Sequence, residues 1–355
     1  MNTTDTVYLT SELPGIGGVI KERPEDFIVE EQPLYQPVGE GEHCYLFIEK
    51  TGIGTPEMVE IVAKHFGVRD RDVGVAGQKD AHAVTRQLVS VHTPGKTVES
   101  FPMLEHPSMG VLWVDMHTNK LRMGHLAGNR FSIKVRGVEM TIAPAALAVV
   151  KQLETQGVPN RFGPQRFGNR GDNHVLGKAL LLGESRKKFG ISRRRLFLNS
   201  LQSALFNEVL DRRIADGALG SLTEGDLAWK HDSGSVFAVD ADVLAHADTS
   251  ERLASLAISP SGPMWGAKMS RAAGTTDETE LLALAKFELT LDDFANSHHA
   301  KLVPGVRRPL RVAITDCQVE GGIDEHGGHV RLAFDLPPGT FATAVLREIM
   351  KSDDL

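Results

Sequence analysis

Hydrophobic and polar positions change their period twice along this chain. Gly18 to Glu31 and Cys44 to Glu49 are short apolar runs between turn residues, and they read as strands. Asn129 to Arg136 alternates Phe131, Ile133 and Val135 with Ser132, Lys134 and Arg136, the period of a half-buried strand. Thr55, Pro56 and Glu57 read as N-cap, first helical residue and first-turn acid of a helix reaching about Phe66, with Met58, Ile61, Val62 and Phe66 on one face. Val73 to Ala76 is an apolar run stopped by Gly77, and Val84 to Val91 reads as a further strand. Lys79 and Asp80 are therefore expected in a loop between two strands.

From Ala143 the period becomes helical, through Leu147, Val150 and Leu153, and an amphipathic helix is predicted from Leu196 to Ile214. A loop-rich region with GSVFAVD and PSGPMWG follows, and the polar stretch Arg271 to Glu280 reads as an exposed loop. Strand-like alternation returns at Leu310 to Ile314 and His329 to Phe334. A strand-rich start, a helical middle and a strand-rich end predict an α+β chain: a discontinuous domain of 1–157 and 310–355, interrupted by a mainly helical α+β insertion of 158–309. At 355 residues the chain exceeds the size at which one core stops growing, which fits two bodies.

Composition, at 41% hydrophobic and 24% charged, is that of an ordinary globular protein, with no apolar run of membrane-spanning length. The first fifteen residues lack a basic stretch followed by an apolar core, so a cytoplasmic protein is expected. Cys44 and Cys317 stand alone, suggesting buried thiols rather than a disulfide or zinc motif. The net charge of -7 argues against nucleic acid, but its distribution argues the other way. Between Val158 and Ser200 ten Lys or Arg face only Asp172 and Glu184. Arg193, Arg194 and Arg195 are the densest part, and either a solvated helical face or a grip on a polyanion fits them.

The candidate chemistry centres on the loop GVAGQKDAHAVTRQ. Gly77 lets the backbone turn, and Lys79 beside Asp80 offers a cation to keep a partly buried carboxylate ionised. Such an aspartate suits a nucleophile or a base. The chain has no GxSxG elbow, GxxxxGK[ST] loop or HExxH motif, which removes the common hydrolase, phosphate-loop and zinc readings. Two other classes stay open on residues alone: a non-catalytic protein whose basic segment binds a polyanion, and a glycosidase or nuclease, for which no partner carboxylate stands out.

Six segments, KERPEDFIVEE, the Asp80 loop, HLAGNRFSIKV, VPNRFGPQRFGNRGDNH, LFLNSLQSALFNEVL and LPPGTFATAVLREI, resemble in that order the motifs of the tRNA pseudouridine synthase D (TruD) family. The resemblance implies a pseudouridine synthase-type catalytic domain with a mixed, largely antiparallel sheet, and an inserted domain that grips tRNA. It implies isomerisation of uridine 13 of tRNA, with Asp80 as the catalytic carboxylate. Phe27, Asn129, Phe131 and Phe341 would hold the extruded nucleotide by stacking and amide hydrogen bonds. Phe131 stands where most pseudouridine synthase families have Tyr, which excludes proton transfer by that ring. Lys21, Lys79 and Arg347 are candidate cations for Asp80, and Arg193 to Arg195 for the RNA backbone. Arg161 departs from the pattern, where the family more often has an aromatic residue. The implied reaction calls for no redox equivalent or group carrier, so neither cofactor nor metal is expected, and a monomer is the default.

Overall fold

The computed structural model describes residues 7–352, and these fall into two compact units. One comprises Ile16–Leu147 and Ile314–Gly339; the other comprises Met1–Gly15, Ala148–Ala313 and Thr340–Leu355, as far as these are described. These divisions differ from 157 and 310, and hydrogen bonds tie the chain ends to the middle, where Gln152 Nε2 donates to Leu9 O at 3.4 Å, and to each other. The buried carboxylate of Glu348, in the helix Ala342–Met350, accepts from Leu9 N at 3.1 Å, Thr10 N at 3.1 Å and Thr10 Oγ1 at 2.9 Å. No periodicity in the sequence announces this anchor.

The first unit is built on an eight-stranded sheet. Six strands precede the helical middle: β1 (Phe27–Pro33), β2 (His43–Thr51), β3 (Val73–Val75), β4 (Val84–His92), β5 (Met109–His117) and β6 (Leu126–Arg136). A hairpin of Thr315–Asp324 and Gly327–Leu336 extends the sheet beyond β6. The order is hairpin, β6, β1, β4, β2, β5, and only the β1–β4 pair is parallel. The mixed, largely antiparallel sheet expected of the family is thus present.

Helix α1 (Thr55–Phe66) packs Met58, Val62 and Phe66 against Cys44, Leu46, Ile48, Val89 and Val91. It stops at Gly67, whose φ of 66° suits the left-handed cap. The segment before β1 is not strand throughout: Pro24–Asp26 is a short 3-10 turn. That turn is fixed by Arg136, whose Nε and Nη2 donate to Asp26 at 2.7 and 2.6 Å while Nη1 donates to Asp324 of the hairpin at 2.8 Å.

In the second unit the middle segment is helical at Asn173–Leu181 and Ile191–Ala215, the latter starting five residues before the periodicity suggested. Ile258–Met264 and Val306–Pro309 join Leu227–Lys230 and Val236–Ala238 in a four-stranded sheet. Arg271 to Glu280, expected as a loop, is largely helix Gly274–Lys286. Its polar residues conceal a buried face, in which Glu280 meets Arg307 at 2.6 and 2.8 Å. No helix among the described residues is long and apolar enough to cross a membrane.

Replacing Arg136 by Met strands Asp26 in the interior and is expected to cost roughly 3–5 kcal/mol of stability. Urea unfolding checks this, and a loss below about 1 kcal/mol would contradict the anchoring role.

Candidate active site

The loop carrying Asp80 leaves the sheet at a break in its hydrogen-bond ladder. Along β4, β1 pairs only as far as Arg86, and β3 takes over the same side from Val89. Between them the Leu88 N–H donates to the Glu31 carboxylate at 3.3 Å. Glu31 is the third inward residue of β1 after Phe27 and Val29, so strand alternation carries an acid into the core.

Lys79 fills this break. Its ammonium donates to Glu31 Oε2 and to Asn129 Oδ1, both at 2.9 Å, with side-chain exposures of 6% for Lys79 and 0% for Glu31. Burial raises the Glu31 carboxyl above its ordinary range, and the Lys79 charge only partly opposes this. Because an ammonium has no acceptor, Asn129 must turn its oxygen to Lys79 and keep its NH2 for another partner. The backbone is held as well. Lys79 N donates to Thr55 Oγ1 at 2.9 Å, Gly52 N to Ala81 O at 3.1 Å, and the buried Lys50 to Asp80 O at 3.3 Å and Ile53 O at 2.7 Å. Burial pushes the Lys50 ammonium down to about 8, despite the nearby Asp80 charge.

The cation on Asp80 is therefore Lys21 and not its sequence neighbour. Lys21 Nζ lies 2.7 Å from Asp80 Oδ2 and 4.7 Å from the centre of the Phe27 ring. Lys21 adopts φ 60°, a strained value for a non-glycine residue. The other carboxylate oxygen accepts the His82 N–H at 3.0 Å. Partial burial raises the Asp80 carboxyl, but the Lys21 and His82 hydrogen bonds and the Lys21 charge outweigh it, leaving it below the ordinary carboxylate range. The result is an ionised carboxylate with 37% of its side chain open to solvent, its lysine partner lying over the Phe27 ring.

Phe27 and Phe131 are buried with ring centres 6.5 Å apart and edge-on, and Phe334 lies 5.6 Å beyond Phe131. Lys21, Phe27, Lys79, Asp80, Asn129 and Phe131 thus all belong to one unit. Phe341 belongs to the other and precedes the helix Ala342–Met350, 39% exposed. Arg347, in the same helix, donates to Val7 O at 2.8 Å and lies 4.4 Å from the Tyr8 ring centre. Arg161, the departure from the family pattern, donates to Asp211 at 3.1 Å. Arg193 to Arg195 occupy the first turn of Ile191–Ala215, which contains no acid. Three cations at the positive end of a helix dipole are locally unfavourable and favour an external anion. Arg186, Lys187, Lys188, Arg193 and Arg195 are exposed and form no ion pair with a carboxylate among the described residues. Sequence reading missed Glu31, Lys50 and Phe334. The signal for the first two was a charged residue at an inward strand position.

This is a pseudouridine synthase-type fold, and comparison with known proteins makes the class specific. A crystal structure of a TruD-named protein from Methanosarcina mazei superposes with a TM-score of 0.81 over 98% of this chain and 96% of that one; at 24% identity it shows the fold. The family described as tRNA pseudouridine synthase D (TruD) matches residues 3–192 and 187–349. Proteins named tRNA pseudouridine synthase D from a Geobacter species and from Thermus thermophilus are 39% and 41% identical. Each alignment covers 98% of this chain, with 100% and 93% of the relatives. The chain belongs to the tRNA pseudouridine synthase D family.

Two measurements test the electrostatics. Lys21→Met removes the main influence lowering Asp80, so the carboxyl midpoint followed by carbon NMR should rise; an unchanged midpoint would refute the pairing. Lys79→Met leaves Glu31 buried with a raised midpoint, so folding takes up a proton and stability should fall as pH rises above the ordinary carboxylate range, by up to about 1.4 kcal/mol per pH unit. Glu31→Leu combined with Lys79→Met should abolish that slope.

Proposed function

We propose that this protein isomerises uridine 13 of tRNA to pseudouridine, with Asp80 as the catalytic carboxylate. The observation that carries the reading is the Lys21–Asp80 pair beside Phe27, within a chain of this family. Breaking C1′–N1, turning the uracil and joining C5 to C1′ conserves composition. The C5 hydrogen leaves as a proton, and N1 gains one. An ionised Asp80 serves either as nucleophile at C1′ or as base at the ribose, and the Lys21 ammonium offsets its desolvation in both.

The target uridine must leave its stack, at a cost of a few kcal/mol, which pocket contacts recover. In this reading the Phe27 and Phe131 rings border the base, and the Asn129 NH2, left over after Lys79 takes its oxygen, donates to a uracil carbonyl or the ribose. The exposed Phe341 ring offers a further stacking surface for the RNA. Arg193, Arg194 and Arg195 hold backbone phosphates, supported by their placement at a helix N-terminus without acids.

Tritium release from C5 of uridine-labelled tRNA, with EDTA present, tests the reading. Wild type should release tritium and Asp80→Asn should lose at least about a thousandfold of that rate, roughly 4 kcal/mol of barrier. Release unaffected by the substitution would show that Asp80 does not carry the reaction, and binding without any release would favour a tRNA-binding protein.

A further inference from the structure

The segment VPNRFGPQRFGNRGDNH belongs to the second unit, and the Asp80 loop to the first. The segment lines, with Thr343, Ala344 and Arg347 of the C-terminal helix and one face of Ile191–Ala215, a cavity of about 550 Å³ inside the second unit. That lies within the roughly 300–1,000 Å³ range of small-molecule sites. Its wall is braced from behind. The Asn207 amide accepts from Phe162 N at 3.0 Å and donates to Phe162 O at 2.9 Å, while the Arg308 guanidinium lies 4.4 Å from the Phe162 ring centre.

The charged groups of the wall are already committed. Arg161 pairs with Asp211, Glu208 accepts from Lys286 at 2.7 Å, and Arg347 donates to Val7 O. Two carboxylates offset the two guanidinium groups, so the cavity is poorly suited to a phosphate. What it does present is a half-buried aromatic wall: Phe167 meets the His174 ring edge-on at 5.7 Å. Burial holds the His174 imidazole below its usual range, a backbone hydrogen bond with Gly171 opposing this only in part. A neutral aromatic wall among balanced charges suits a flat, uncharged ligand.

We propose that this cavity receives a second unstacked nucleobase of the RNA, separate from the target uridine. The proposal rests on the tRNA reading above and adds a stacking subsite to it. Phe167 and His174 supply the aromatic contact, fixing the register of the RNA without neutralising phosphate.

The test uses the full chain and a tRNA transcript in which single nucleotides other than the target are replaced by abasic residues. With wild type, one replacement should weaken binding roughly tenfold, the scale of one stacked base. With Phe167→Leu, native tRNA should bind correspondingly more weakly, and that same replacement should cost nothing further. His174→Gln provides a second variant, with unfolding midpoints confirming that both fold. The slope of affinity against salt should be unchanged, since no phosphate contact is lost. The proposal is overturned if no abasic position behaves this way, if abasic and Phe167→Leu losses simply add, or if the salt slope falls by about one, which marks a phosphate site. Failure of wild type to release tritium from tRNA would instead remove the reading on which it rests.

Discussion

The Glu31–Lys79 ion pair is the contact around which the Asp80 loop is organised. It lies where β1 stops pairing with β4 and β3 has not yet begun, a position that would otherwise leave the Leu88 N–H unmet. Burying two charges is expensive, and a pair of this kind is weak evidence for added stability. Its value is geometric. A lysine anchored at 2.9 Å to a carboxylate on one strand and an amide on the next fixes where residue 80 begins.

With Lys79 committed, Asp80 depends on a cation from another part of the unit. Lys21 arrives from the segment before β1, whose course is fixed by the Arg136–Asp26 pair. Its left-handed backbone is a local cost of about 1–2 kcal/mol, accepted because the surrounding contacts over-determine the segment. An ammonium held between a carboxylate and the Phe27 ring keeps Asp80 charged while leaving one side of it open. A carboxylate required to act on an extruded nucleotide needs both properties.

The second unit carries a different electrostatic character. The chain as a whole is acidic, yet exposed cations without carboxylate partners among the described residues cluster from Arg186 to Arg195. The cavity beside Phe167 and His174 is charge-balanced by contrast. Gripping a polyanion and reading a neutral base are separate physical tasks, and the two proposals assign them to separate surfaces of the unit.

Much of this was legible in the sequence. Strand alternation gave β6 and the Asp80 loop its position between strands, and the order of six motifs gave the family. The helix Gly274–Lys286 was not legible, because its buried acid reads as polar until Arg307 meets it. Nor was the grouping of the chain ends with the middle, since it involves hydrogen bonds from residues 9–10 to Glu348 and from Gln152 to Leu9. By itself the sequence determined which residues are present, their local periods and the carboxylate available for chemistry. Only the tertiary structure decided that Lys21, and not Lys79, pairs with it: adjacency along a chain says nothing about direction, and an ion pair forms where packing brings the charges to contact distance.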